Sequence, residues 1–200
     1  MQTTIASANP IHSARDRILD AAMELFATRG FQAVGLRDLA SYLGLHAGSL
    51  YHHIDNKQAL LFELIEFGLL DLLQETKRRM KNARSPCERL NLFIQAFVKF
   101  NFNEKHKLTL ITSEFANLNK EQQTRIIQLK NRYSSLLSTV IAYERDEKET
   151  FNGDNCPLTN TAVIILFGQS QWYNPETTEL QLTATLTNIF TCMIGNYSSN

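Results

Sequence analysis

Residues 36–53 hold the side chains whose types and spacing suit chemistry with a polyanion. Leu39, Ala40, Leu43 and Leu45 place apolar contacts on either side of Gly44, a residue suited to a tight turn, and the small Ala40 lets two short helices approach closely. The stretch His46, Ala47, Gly48, Ser49, Leu50, Tyr51, His52 and His53 has one apolar anchor, Leu50, surrounded by small and hydrogen-bonding side chains. Small residues let a helix lie deep in a nucleic-acid groove, and Ser, His and Tyr hydrogen-bond to phosphate oxygens or base edges. Lys57, beside the free N–H groups that open the next helical stretch, has the character of a phosphate clamp. Arg37 can grip phosphate in the same way, and Arg15 and Arg17 can reach a phosphate backbone from the preceding segment. Two short helices about a glycine turn form a helix-turn-helix unit, and double-stranded DNA is its expected partner. The sequence leaves open which of His46, Ser49 and His53 would read bases rather than phosphates.

The elements that must position these groups are helical throughout. Ser13 can cap a helix whose stripe is Ile18, Ala22, Leu25 and Phe26, and Gly30 stops it. Short helices are predicted over residues 36–43 and 47–53, and Asn56 caps a long one over residues 57–81 with Leu60, Leu61, Leu64, Ile65, Leu69 and Leu72 inward. Pro86 opens the next, carrying Leu90, Phe93, Ile94, Phe97 and Val98. Further helices are predicted over residues 105–116, 121–144, 157–173 and 178–196, with a charged loop around Asn152, Gly153 and Asp154. The fold class is all-α with about nine helices. Residues 1–12 form a loose arm, residues 13–57 a head, and residues 58–200 a body for ligand binding and dimerisation.

The order and spacing of Ile18-Leu19-Asp20-Ala21-Ala22, Leu25-Phe26-Ala27-Thr28-Arg29-Gly30-Phe31, Arg37-Asp38-Leu39-Ala40 and Gly48-Ser49-Leu50-Tyr51-His52-His53, ending at Lys57, resemble the DNA-binding domain of TetR-type transcriptional regulators. The resemblance implies an all-helical homodimer with a three-helix head and a ligand-sensing body. It implies DNA contact at Ser49, Tyr51, His52 and Lys57, with Arg37 and His46 carried over beside them, and the small Ala47 and Gly48 join from their place on the same helix. Two departures stand out: Gly35 where Thr or Ser usually caps the second helix, and Ile54-Asp55 where Phe usually leads. Glycine still caps, with a loss of a few tenths of a kcal/mol relative to serine. Isoleucine can still plug the head.

The last two helical stretches are apolar around most of their circumference, and a lone chain would expose too much of that surface. One side is expected to pack on the body and the other on a second chain, through Val163, Leu166, Phe167, Leu186, Phe190 and Met193. Such a homodimer spaces two heads about one DNA turn apart and predicts a near-palindromic operator. A small apolar effector is expected between the body helices, near Phe93, Phe97, Phe100, Tyr133, Phe167 and Trp172, although each phenylalanine taken singly reads as core. The effector would tilt the long fourth helix and release DNA, as is usual in the family, which makes repression the expected mode and leaves activation open. The stretch Phe167-Gly168-Gln169-Ser170-Gln171-Trp172-Tyr173-Asn174-Pro175 is similar to one in relatives that sense acyl-CoA thioesters, which adds an acyl-CoA to the possible effectors.

Other classes find little support. Twenty basic and twenty acidic residues cancel, so DNA contact must come from a local face and not from the overall field. No Ser-His-Asp spacing, glycine-rich phosphate loop or metal pair is present, so neither an enzyme nor a cofactor is expected. His52 and His53 are adjacent, and adjacent helical residues point about 100° apart, too far to share one ion. Cys87, Cys156 and Cys192 fit neither a disulfide framework nor a zinc site. Met1 to Ile11 lacks a secretion signal and the longest apolar run, Ala162 to Phe167, is too short for a bilayer, so no membrane partner and a cytoplasmic location are expected. A sensor or scaffold without specific DNA binding is the competing reading.

Overall fold

The first turn is fixed by a capping box. Asp16 N donates to Ser13 Oγ at 3.1 Å and Ser13 N donates back to Asp16 Oδ2 at 3.0 Å. In this computed structural model, which describes residues 13–144, 156–168 and 176–197, that box opens α1 (Ala14–Arg29). Gly30, at φ 85°, closes α1 with its N–H on Phe26 O. α2 (Leu36–Tyr42) and α3 (Ala47–Leu50) follow, and α4 (Lys57–Met80) starts from Asn56, whose Oδ1 accepts from Ala59 N at 2.8 Å. α5 (Pro86–Asn103), α6 (Lys105–Ser113), a 3-10 turn (Phe115–Asn117), α7 (Lys120–Glu144), α8 (Pro157–Gly168) and α9 (Glu179–Tyr197) build the body. The described residues contain no strand, and the all-α expectation with nine helices holds.

Two boundaries differ from the sequence reading. The third helix ends at Leu50 and not at residue 53, where the chain turns: His53 N takes a tighter three-residue bond to Leu50 O, and Ile54 N donates to the same oxygen. The sixth stops at Ser113, where Glu114 N donates to Leu110 O, and the chain resumes as a 3-10 turn. The predicted extension of the eighth helix to residue 173 lies outside the described residues beyond Gly168.

α4 is the spine. It packs on α5, α6 and α7, and its buried Leu60, Leu61, Leu64 and Ile65 near the start, with Leu69, Leu72 and Leu73 further on, run one apolar core from head to body. Each such side chain, taken out of water, contributes about 1.5–3 kcal/mol. At Gly68 the spine meets α6 closely: a Cβ there would stand 3.2 Å from Ile111 Cδ1 and 3.3 Å from Lys107 Cβ. α5 packs on α9, which buries Leu182, Leu186, Phe190 and Ile194 at four-residue spacing, and α8 buries Leu158, Ala162 and Leu166 in the same rhythm.

Candidate nucleic-acid interface and body cavity

The turn between α2 and α3 is a Schellman arrangement. Leu45 N donates to Ala40 O at 2.9 Å, Gly44 N donates to Ser41 O at 3.1 Å, and Gly44 takes φ 67°. Leu39, Ala40 and Leu50 are buried, and Ile54 is buried in the same core. Gly35 offers no side chain to cap α2, but its own N–H donates to Asp38 Oδ2 at 2.7 Å, so the carboxylate supplies the bond that a hydroxyl would have complemented.

This frame turns most of the DNA-face candidates outward. Tyr51 is 60% exposed, Arg37, His46, Gly48 and His52 are exposed, and Ala47 and Ser49 are half-buried at the start of the recognition element. Arg37 forms no ion pair among the described residues, so its guanidinium stands available on that surface. Arg15 differs: its Nη2 lies 2.7 Å from Glu63 Oε1, which ties α1 to α4. Lys57 is also engaged. Its Nζ lies 4.1 Å from the centroid of the Phe31 ring, and burial pushes its ammonium below the usual lysine value, against the opposing pull of Glu114 and Asp38.

The head is joined to the body at the end of α6. Phe31 N donates to Glu114 Oε1 at 3.3 Å, Gln32 Nε2 donates to Asn117 Oδ1 at 2.5 Å, and Gln58 Nε2 donates to Asn117 O at 3.2 Å. Asn117 Nδ2 in turn donates to Glu114 Oε2 at 2.6 Å. The loop after α1, the first turn of α4 and the 3-10 turn therefore meet as one polar joint.

A cavity of about 350 Å³ opens between α4, α6, α7 and α8. That is the lower end of the range for small-molecule sites. Of the predicted effector residues, Tyr133 and Phe167 line it. Phe93 and Phe97 form a second layer, their rings 5.0 Å from Tyr133 and 5.1 Å from Phe167, while Phe100 is buried core. Trp172 lies outside the described residues. Leu69 of α4, Ile111 and Thr112 of α6, Lys130 and Ser134 of α7, and Val163, Ile164 and Gly168 of α8 complete the walls. Sequence reasoning passed over Lys130, although the signal was there: it falls between Ile126 and Tyr133 on the apolar stripe of α7, where a cation is out of place.

The predicted dimer residues divide. Leu166, Leu186 and Phe190 are buried within this chain's own core, because four-residue spacing sets them on the faces of α8 and α9 that meet the body. They are therefore not surface available to a partner. Val163, Phe167 and Met193 are half-buried, and the outward apolar positions are Ile164, 69% exposed, with Ile189 and Leu180. Among the described residues no group of His, Cys, Asp or Glu could hold a metal, and no helix is long and apolar enough to cross a membrane.

An exposed helix-turn-helix on a three-helix head, a spine helix and a hollow helical body define the class of ligand-sensing bacterial regulators. The family model described as bacterial regulatory proteins, TetR family, matches residues 18–64, and the tetracyclin-repressor-like C-terminal domain matches residues 83–194. The chain belongs to the TetR family, whose members are DNA-binding transcriptional regulators. It is 30% identical over 121 residues to the HTH-type transcriptional repressor KstR2 of Mycolicibacterium smegmatis, a match spanning 60% of this chain and 58% of that protein. The fold is shared with a TetR-family regulatory protein from Rhodococcus RHA1 (TM-score 0.82, 19% identity, covering 91% of this chain and 97% of the other). It is shared too with AibR, solved with isovaleryl coenzyme A and operator DNA (TM-score 0.78, 20% identity, covering 88% and 97%).

Proposed function

We propose that the chain is a homodimeric, ligand-responsive transcriptional repressor. Its head (residues 13–57) binds a near-palindromic operator, and entry of a small apolar effector into its body (residues 58–200) releases the DNA. The observation that carries this reading is spatial. The outward recognition residues Tyr51, His52 and Arg37 lie at one end of a continuous α4 spine, and the apolar cavity lies beside Leu69 of the same spine. The effector wall on α6 continues directly into Glu114 and Asn117, which hold the head. An effector that favours one setting of α6 shifts the head by its differential affinity for the two settings.

Ser49, Tyr51, His52 and Arg37 are assigned to DNA, with His46, Ala47 and Gly48 at the closest approach. Lys57 joins them on leaving the Phe31 ring for a phosphate at the start of α4. The outward Ile164 and Ile189, with the half-buried Val163, Phe167 and Met193, are assigned to the twofold contact. An acyl-CoA is an effector of the right kind: the relative AibR was solved with one, and residues 167–175 resemble the corresponding stretch of acyl-CoA sensors. A cytoplasmic location follows from the same reading.

The test is retention of genomic fragments by the purified protein at two salt concentrations, beginning with DNA upstream of its own gene. A short palindrome retained at the higher salt is expected. Weak binding erased by salt would mark phosphate contact alone and turn the assignment to a sensor or scaffold.

A further inference from the structure

Lys130 and Tyr133 sit one helical turn apart on α7 and both line the body cavity. The Tyr133 hydroxyl is buried and has no hydrogen-bond partner of good geometry among the described residues; its nearest polar neighbour is the Thr76 hydroxyl, whose own proton goes to Leu72 O at 2.7 Å. A buried polar atom without a partner calls for a ligand or a water to satisfy it. Thr159 and Thr187 also hold unpartnered hydroxyls, but neither lines the cavity. Lys130 is the only cation on the cavity wall among the described residues. Its Nζ lies 4.5 Å from the centroid of the Phe115 ring, and no carboxylate pairs with it among those residues. Burial among these walls pushes its ammonium below the usual lysine value, with no opposing charge to restore it. Thr112 and Ser134 add two neutral hydroxyls to the wall, and Leu69, Ile111, Val163, Ile164 and Phe167 make the rest of it mostly apolar.

Resting on the regulator reading, we propose that the effector is an apolar carboxylic acid, bound as its carboxylate, with the anionic head on Lys130 and Tyr133 and the hydrocarbon between α4, α6 and α8. The carboxylate supplies the missing counter-charge to Lys130 and an acceptor for the Tyr133 hydroxyl. Both bonds are charge-assisted, the stronger class of hydrogen bond. A neutral apolar molecule of the same length would leave both groups unsatisfied. The bond also reaches the head: drawing the ammonium toward a carboxylate takes it off Phe115, the first residue of the turn whose Asn117 holds Gln32 and Gln58.

The experiment is calorimetric titration of the full chain with hexanoate, octanoate and decanoate, with the matching primary alcohols, and with decanoyl-CoA. At least one acid is expected to bind tenfold or more tightly than its alcohol. Lys130→Met should remove that preference, Lys130→Arg should keep most of it, and Tyr133→Phe should weaken the acid about threefold to tenfold without changing the alcohol. Thermal melting of each variant verifies that it is folded. Equal binding of acid and alcohol, a preference that survives Lys130→Met in a folded protein, no binding of any acid at millimolar concentration, or decanoyl-CoA binding that ignores Lys130→Met and exceeds every acid would each overturn the proposal. Fragment retention is measured separately. A protein that holds a palindrome and ignores the acids loses this inference alone, and one that binds acids but no DNA loses the regulator reading alone.

Discussion

The Phe31 amide donates to Glu114 Oε1 across 3.3 Å, linking two residues 83 apart in sequence, one in the head and one at the end of α6. Glu114 is held in turn by Asn117, whose side-chain oxygen accepts from Gln32. This joint ties the end of α6, just beyond the cavity wall at Ile111 and Thr112, to the head. Coupling between sites in regulators typically amounts to about 5–150-fold, and residues along a connecting network alter it by about 0.5–2 kcal/mol. Asn117→Ala is expected to shrink the effector-induced fall in operator affinity about threefold or more while changing effector-free operator binding and effector binding by less than twofold. A full binding cycle on the variant checks this. An unchanged cycle would move the coupling to α4 alone.

Gly44→Ala tests the turn. Nothing stands within 4 Å of the added Cβ, so its penalty is conformational: φ 67° is a region that L side chains rarely adopt. A destabilisation of about 1–2 kcal/mol is expected in urea, with a smaller loss for Gly44→Asn.

Gly68→Val tests the spine. The branched side chain would press on Lys107 Cβ and Ile111 Cδ1 where α4 crosses α6, and Ile111 is a cavity wall. Overpacking of this kind typically costs about 1–3 kcal/mol. Urea denaturation should show that loss together with weaker effector binding, and wild-type stability in Gly68→Val would mean that α6 yields freely at this crossing.

Glu75 supplies a pH dependence. The Arg78 guanidinium, by hydrogen bonds at 2.7 and 2.8 Å, and then Arg79 hold its carboxyl down from 4.5 to about 2, with partial burial working against them. Because the folded value is the lower one, this contribution is complete above about pH 4.5 and fades as the pH falls toward 2. The pair is solvent-screened, so Glu75→Gln should lose under about 1 kcal/mol at pH 7 and converge with wild type near pH 2. Denaturation curves at pH 7, 4 and 2.5 decide it, and a difference that persists undiminished at 2.5 would point to packing instead.

The head was legible because its signals are local. The capping Ser13, the stop at Gly30, the turn at Gly44 and the buried Leu50 depend on neighbours within a few residues, and each occupies its expected place. The body was legible only as helices. Phe93 and Phe97 share a helical face with Phe100, but whether that face borders a cavity depends on how far α8 stands from α5; the structure sets Tyr133 and Phe167 in between. On α8 and α9 nearly every turn is apolar, so periodicity could not separate Leu166, Leu186 and Phe190, which face inward, from Ile164 and Ile189, which face out. Lys130 was readable as a cation on an apolar stripe, yet a lysine at that position more often reaches to solvent, and only the packing of α6 and α8 around it encloses it.

Arg37 and Arg15 make a matched pair for testing the DNA face. Both are exposed arginines of the head, but Arg15 is held by Glu63 at 2.7 Å, whereas Arg37 has no ionic partner among the described residues. A phosphate contact releases counterions, so its removal weakens binding to all sequences alike and lowers the magnitude of the salt slope by about 1. Arg37→Ala is expected to do this against any duplex the protein retains. Arg15→Ala should leave the slope within error and instead loosen the seating of α1 on α4, lowering stability by up to about 1 kcal/mol. Binding isotherms at four salt concentrations distinguish the two. If the slopes fall equally, Arg15 leaves Glu63 for the DNA backbone and the interface extends to the start of α1. If neither falls, the phosphate contacts lie with Lys57 and the recognition residues alone, and Arg37 is a solvated surface group.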